Sequence, residues 1–363
     1  IGTSVGPIYS RYDSMEDLGV EIWRTGLSEH FACLLEDLRA SCDGDLEARG
    51  RLAQQMAAPD EATSALVELL AVARRYSFLR EVVADDASVH LDRHLAAQPE
   101  CPRALALAQV QILLGAVLLA PVGAAMSVDD HLNVLEMLAE ATHDPEAARA
   151  TPLRPEPAIF DLPKGDTHDE LLDAFVDAVI EVIAQVGYDK ASANRIARRA
   201  GHGFSSIYSH YESKEEFMEA TVNLLIDQII TQSVQGFIGV TREEFIANSV
   251  ANALGLSSEQ NRLNRHLRTE VILAARHHLV ISDHLNAAYE LVIAFGREAY
   301  AQQFPTFTDE HTPILRAKWL LVRSNGFGMS LLRSNTPMAA EIDWTPASIA
   351  LRNLTERRLL DLL

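Results

Sequence analysis

Between Ser192 and Phe217 the chain reads SANRIARRAGHGFSSIYSHYESKEEF, a run whose residue types suit contact with a polyanion. Arg195, Arg198 and Arg199 supply fixed positive charge. Gly203, Ser205 and Ser206 are small residues at the start of a short helical stretch. Backbone there can approach a groove closely, and its amides can meet phosphate oxygens. Tyr208 and Tyr211 each combine a packing face with a polar tip. This is the chemistry of recognition, through hydrogen bonds and ion pairs whose strength falls steeply with salt. Elsewhere no serine nucleophile elbow, no Gly-rich phosphate loop after a strand and no acid/base pair stands out, so an enzyme is not expected.

Local signals predict the elements that hold these residues. Ser192 is a natural N-cap for ANRIARRA, whose Ile196, Ala197 and Ala200 share a face. Gly201 and Gly203 bracket His202 in a sharp turn, where glycine adopts positive φ without steric cost. FSSIYSHY predicts a second short helix, and Ser213 with Glu216 predicts a capping box for a third. Upstream, Thr167 with Glu170 predicts a capping box for a helix over Asp169–Val186, ended by Gly187. Two short helices around a tight turn form the helix-turn-helix layout.

The rest of the chain is a different environment. Its 363 residues carry a formal net charge of −20 and are 48% apolar, with few β-branched alternating runs. An all-α protein is expected, with any nucleic-acid contact confined to a local basic patch. Cys33, Cys42 and Cys101 are unpatterned and read as buried free thiols of a cytoplasmic protein. His277, His278 and His284 with Asp283 lack ligand spacing on one helical face, so neither metal nor cofactor is expected. The apolar run Ala104 to Ala120 is short, contains Gln109 and Gln111, and stops at Pro121; it reads as a core helix and not a membrane span.

A repeat organises the whole. Shifted by 199 positions, Ile8, Tyr9 and Ser10 fall on Ile207, Tyr208 and Ser209, Tyr12 on Tyr211, and Ser14 on Ser213. Farther on, residues 68–74 (ELLAVAR) align with 270–276 (EVILAAR). The reading is a remnant of a first helix-turn-helix domain at 1–18, entered partway through, and a helical body at 19–143. A Pro-rich linker follows at 144–166, then a second helix-turn-helix domain at 167–213 and a second body at 214–363. Helices are expected over Leu18–Leu38, Leu46–Ala57, Pro59–Tyr76, Leu79–Ala97, Arg103–Ala120 and Val128–Ala141. In the second body they are expected over Lys214–Gln235, Arg242–Ala253, Glu259–His277, Asp283–Phe304, Ile314–Leu332 and Thr345–Leu360.

The run from Ala200 to Phe217, with Gly187-Tyr188 and Ile196-Ala197 before it, closely resembles the DNA-binding domain of TetR-family transcriptional regulators. The resemblance covers about fifty residues of the second half and the last third of that domain in the first. It implies a regulator, most often a repressor, that binds double-stranded operator DNA and a small-molecule effector. By resemblance Tyr208, His210 and Lys214 contact phosphates, and Phe204 and Ser206 lie nearest base edges. Arg195, His202, Gly203 and Ser205 complete the second reader; Thr3, Ser4, Gly6, Tyr9 and Arg11 belong to the first. Trp23, Tyr76, His278 and Trp319 lie on body helices that line the effector cavity in the family.

The resemblance also implies that the two halves pair as an intrachain pseudo-dimer, with further dimerisation left open. Helices Arg103–Ala120, Val128–Ala141, Ile314–Leu332 and Thr345–Leu360 take the places of the family's four-helix interface. Leu113, Val117, Leu118, Leu135 and Leu138 would meet Leu320, Phe327, Leu331, Leu351 and Leu354, with Gly115 and Gly326 allowing close approach. The halves are unequal. Met15 stands where Lys214 stands, the 3–7 and 202–206 segments differ, and Asp169, Glu170, Asp173, Asp177 and Glu181 make the first helix of the second reader acidic. An asymmetric DNA site follows. The alternative is a TetR-like small-molecule sensor or protein-interaction module with weak or no direct DNA binding.

Overall fold

Every regular element in the computed structural model is a helix, with no strand among the described residues 11–122, 126–143, 155–235, 241–303 and 306–361. An Ala- and Leu-rich chain gives this outcome because those residues lose little on entering a helix. Helix α1 (Met15–Ile22) passes through a π-helical turn at Trp23–Leu27 into α2 (Ser28–Cys42), followed by α3 (Leu46–Ala57) and α4 (Glu61–Ala73). Then come α5 (Ser77–Ala96), α6 (Arg103–Leu119) and α7 (Val128–His143). Where the sequence predicts one helix over Leu18–Leu38, the wide turn interrupts it, and the fully buried Trp23 donates from Nε1 to Asp86 Oδ2 at 3.0 Å.

The second half begins with α8 (Glu170–Val186), α9 (Ala193–Ala200), a 3-10 helix at Phe204–Ser209 and α10 (Lys214–Gln235). It continues as α11 (Arg242–Ser257), α12 (Arg262–His277), α13 (Leu279–Gln303), α14 (Thr312–Asn335), α15 (Pro337–Glu341) and α16 (Thr345–Asp361). Among the described residues no helix is long and apolar enough to cross a membrane.

The centre is the contact of α6 with α14, flanked by α7 and α16. Every residue of α6 from Leu105 to Leu119 is buried, which accounts for its unbroken apolar run. Its two glutamines have partners there: Gln109 Nε2 donates to Thr142 Oγ1 at 2.6 Å, and Gln111 Nε2 reaches the Met329 sulfur at 3.2 Å. A Cβ on Gly115 would overlap the Ser324 carbonyl, and one on Gly328 would overlap the Gln111 carbonyl. The expectation of Gly326 in this role is corrected. Two residues are about 200° of helix, so Gly326 faces away, against Leu256. Leu113, Val117, Leu118, Leu135, Leu138, Leu320, Leu331, Leu351 and Leu354 are all buried, whereas Phe327 is half-buried.

Some contacts between the halves come in reciprocal pairs. Gly115 sits on Ser324 while Gly328 sits on Gln111. Arg276 Nε lies 2.8 Å from Glu68 Oε1, and Arg74 pairs with Glu270. In the 68–74 and 270–276 alignment these are the same two positions exchanged, the relation expected across a two-fold interface.

Residues 155–166 lie as a strap along the second half. Ala158 N donates to Ala251 O at 2.9 Å, Phe160 N to Asn261 Oδ1 at 2.9 Å, and Lys164 N to Gln228 Oε1 at 3.0 Å. Gly165 N donates to Asp177 Oδ1 on α8 at 2.7 Å. The described part of the Pro-rich linker is thus held, not a loose tether; residues 144–154 lie outside the described residues.

Gly328→Ala is expected to destabilise the chain by at least about 1–3 kcal/mol, because a backbone carbonyl cannot yield to the new methyl. Gly50→Ala, in an open position of α3, is expected to stabilise by roughly 0.5–1 kcal/mol; urea unfolding of both variants checks the contrast. Burial drags the His94 imidazole from 6.5 down to about 4. Its neutral form is favoured in the folded state, so its contribution is complete above about pH 6.5 and is lost as pH falls towards 4. The urea midpoint should therefore fall across that window, and less steeply for His94→Gln.

Candidate nucleic-acid interface

The short helices of the second reader are set by their caps. Ser192 Oγ accepts from Arg195 N at 3.4 Å to start α9, and Gly201 ends it in the left-handed region at φ 74°. Gly203 does not share that conformation. Its φ is −69°, so the expected pair of positive-φ glycines is a single one. The expected second helix is a tight 3-10 segment over Phe204–Ser209, in which Ser206 Oγ donates back to the Gly203 carbonyl. Ser213 Oγ accepts from Glu216 N at 3.0 Å, but the Glu216 carboxylate takes the amide of Glu212 and not that of Ser213. At α8 the cap is Asp169, which accepts from Leu171 N and Leu172 N. Thr167 instead donates its hydroxyl and amide to Asp173, because one carboxylate on the next turn of α8 satisfies both.

Aromatic packing orients the surface. Phe175 meets Phe204 edge-on at 5.9 Å and Phe217 at 6.3 Å, and Phe204 in turn meets Tyr208 at 5.9 Å. Phe204 is thereby half-buried in the cluster, while Tyr208 remains 55% exposed. Tyr211 stacks against Phe217 at 5.3 Å, and burial raises its pKa. Arg195, Arg198, His202, Gly203, Ser205, Tyr208 and His210 are exposed, and Ser206 and Lys214 are half-buried.

Not all of this basic charge is free. Arg199 is paired with Glu181 of α8, and Arg195 donates to the Lys190 carbonyl at 3.2 Å. Arg198 makes no ion pair among the described residues. The acidic side of α8 is also occupied: Asp177 by the Gly165 amide, Asp173 by Thr167, and Asp169 by its own helix and by His210 at 3.7 Å. Strap and arginine thus screen carboxylates that would otherwise repel a phosphate backbone. In the first reader, Thr3, Ser4, Gly6 and Tyr9 lie outside the described residues; Arg11 is exposed, and Met15 is 47% exposed.

The turn after α8 rests on both halves. Arg74 and Arg75 of α4 and its cap converge on the buried Glu270, whose Oε2 accepts from Tyr188 N at 3.2 Å. Arg75 fills the space beside Gly187, and Lys190 donates to the Tyr76 hydroxyl at 2.9 Å while lying over its ring. This junction was not read from the sequence. Its signal was the repeated Glu and Arg at 68 and 74, 270 and 276.

A cavity of about 240 Å³ opens in the second half between α10, α12, α13 and α14, with Phe160 of the strap in its wall. Of Trp23, Tyr76, His278 and Trp319, Trp319 lines this cavity and the other three do not. Trp23 is locked in the first core, where Asp86 also binds Ser28, itself 3.0 Å from His90. Tyr76 belongs to the junction, and His278 packs on Tyr188 at 5.0 Å. These three are aromatic or polar residues whose partners were too distant in sequence to foresee. His284 faces Asp227 at 2.8 Å, and no cluster of three metal-ligating side chains occurs among the described residues.

No curated protein matches the chain. Residues 175–221, from within α8 through the 3-10 segment into α10, match the family model described as bacterial regulatory proteins, tetR family, and the chain carries at that place a DNA-binding helix-turn-helix domain of the tetR type.

Proposed function

We propose that the chain is a transcriptional repressor of the TetR family, acting in the cytoplasm, whose affinity for operator DNA is set by a small molecule bound in its second half. The observation that carries this reading is the second reader itself, with Arg198, His202, Ser205, Tyr208 and His210 presented to solvent on helices braced by an aromatic cluster. Arg195, Gly203, Ser206 and Lys214 complete the surface, and Phe204 acts by bracing it. The first reader, with Thr3, Ser4, Gly6, Tyr9 and Arg11, contributes less charge, so the preferred DNA site is asymmetric.

The two halves act as a pseudo-dimer built from one chain, with domain divisions at 1–18, 19–143, 144–166, 167–213 and 214–363. The exchanged Glu68–Arg276 and Arg74–Glu270 pairs support this, as does the reciprocal seating of Gly115 and Gly328. The effector couples to the reader through two connections. The strap places Phe160 in the cavity wall and the Gly165 amide on Asp177 of α8. Helix α12 lines the cavity and carries Glu270, which holds the amide of Tyr188 just after α8. A ligand that binds one arrangement of these elements more tightly shifts the population towards it.

Binding to DNA from beside its own coding sequence, followed by fluorescence anisotropy over a salt series, tests the central claim. Specific binding with a steep salt dependence is expected; affinity equal to that for random DNA at every salt would leave only the sensor reading. Lys214→Ala should reduce the slope of log K against log salt by roughly 0.9 for the lost phosphate contact. Arg198→Ala should weaken binding more than Arg199→Ala, since Arg199 is already held by Glu181. Glu270→Gln leaves two buried guanidinium groups without their carboxylate and should cost about 3–5 kcal/mol of stability. Glu68→Gln, where the carboxylate is 35% exposed, should cost much less in the same urea titration.

A further inference from the structure

We infer that the cavity of the second half takes a small molecule with an apolar body and one anionic head, a carboxylate or a phosphate monoester, held by Arg268 and Arg323. The inference rests on the effector reading above and names the ligand class.

The sign of the cavity is the reverse of the sign of the chain. The protein carries 51 acidic against 31 basic side chains. Yet the cavity wall contains Arg265, Arg268, Lys318 and Arg323, and among the described residues not one Asp, Glu or His. Two of these cations are engaged. Arg265 donates to the carbonyls of Leu256 at 3.1 Å and of Ser258, with Glu259 at 3.9 Å, and Lys318 donates to the Tyr300 hydroxyl.

Arg268 and Arg323 differ. Arg268 Nε donates to Asn264 Oδ1 at 2.7 Å, and its guanidinium lies 5.2 Å over the Phe160 ring. Arg323 stacks on Tyr289 at 3.3 Å. In both, Nη2 is enclosed with no acceptor in reach, and neither has an ion pair with a carboxylate among the described residues. The two side chains keep some accessible area although they lie deep in protein, since both line the cavity. Burial pushes Arg268 down to about 10 and lowers Arg323 as well, opposed only by Tyr289.

A buried cation without a counter-charge is costly, and an anion that meets it is favoured accordingly. The planar fork of arginine suits carboxylate and phosphate oxygens. The remaining wall, with Ile226, Leu285, Val292 and Phe295, calls for hydrocarbon, which a bare inorganic anion would not supply. Trp319 Nε1 also lacks an acceptor and offers one more donor. At about 240 Å³ the cavity is smaller than most small-molecule sites, which run from about 300 to 1,000 Å³, so the ligand must be small.

Calorimetric titration of the full chain with octanoate, octyl phosphate, octanol and octyltrimethylammonium tests this at one alkyl length. One or both anions are expected to bind at least about tenfold more tightly than the alcohol, as a charge-assisted contact requires, and more tightly still than the cation. Whichever anion is preferred identifies the head. Arg268→Met and Arg323→Met should each abolish the preference for the anion over octanol. Their melting temperatures should be no lower than that of the parent, since each removes an unpaired buried charge, and this shows that the variants fold. Octanol binding as tightly as either anion, no binding of either anion at millimolar concentration, or a preference that survives both substitutions would overturn the inference. Anisotropy with operator DNA separates the two claims. Anion binding that depends on both arginines but leaves DNA affinity unchanged supports the ligand class and sinks the effector reading. DNA release by octanol or by the cation supports the effector reading and sinks the ligand class.

Discussion

The seating of Gly115 and Gly328 on the opposing backbones of α6 and α14 sets the spacing on which the other contacts between halves depend. Without a Cβ at either position the helices approach until carbonyl oxygens limit them. That distance buries α6 along its length, and each Å² of apolar surface removed from water contributes roughly 25 cal/mol. It also brings α7 and α16 against the same pair and places α4 within reach of α12, so that Glu68, Arg74, Glu270 and Arg276 can exchange partners. Side-chain motion alone cannot loosen a contact made by backbone. Any relative movement within the chain must therefore be taken up outside this crossing.

Two such places touch the second reader. The strap runs from the cavity wall at Phe160 to α8 at Gly165, held by hydrogen bonds between its backbone and side chains such as Asn261, Gln228 and Asp177. The turn at 187–190 lies over the Glu270 cluster, with Tyr188 bonded to it and Lys190 on Tyr76. Both connect to α12, the strap through Asn264, whose Nδ2 donates to the Asp161 carbonyl at 3.1 Å, and the turn through Glu270. Helix α12 is thus linked through the strap to Asp177 in the middle of α8 and through Glu270 to the turn just after it. The distances involved are short, and no long chain of intermediates is needed.

Charge is distributed to the same purpose. An acidic chain discourages indiscriminate adhesion to nucleic acid, and its cations matter most where carboxylates are absent or occupied. On the reader, hydrogen bonds and the Arg199 pair occupy the carboxylates of α8, and Arg198 is left exposed with no ion pair among the described residues. In the cavity, no carboxylate lines the wall among the described residues, and a low-dielectric surround makes each cation count for more. One surface is built for a polymer of anions in water and the other for a single anion out of it.

Much of the reader was legible in the sequence because its signals act within one or two helical turns. Ser192 and Gly201 delimit α9, Tyr211 packs inward, and Tyr208 points to solvent, as residue type and spacing imply. The all-α class and the core nature of α6 follow as directly from Leu, Ala and the uncharged run. Signals that compete locally were less decisive. Thr167 and Asp169 were both able to cap α8, and the neighbouring Asp173 drew the threonine away. What tertiary structure alone decided lies between residues far apart in the chain: Gly328 and not Gly326 at the crossing, Trp319 but not Trp23, Tyr76 or His278 in the cavity, and Arg268 with Arg323 left without counter-ions. The physical reason is that caps and turns are satisfied by near neighbours. The register of two packed helices, and the partner of a buried charge, are fixed only once distant surfaces have closed.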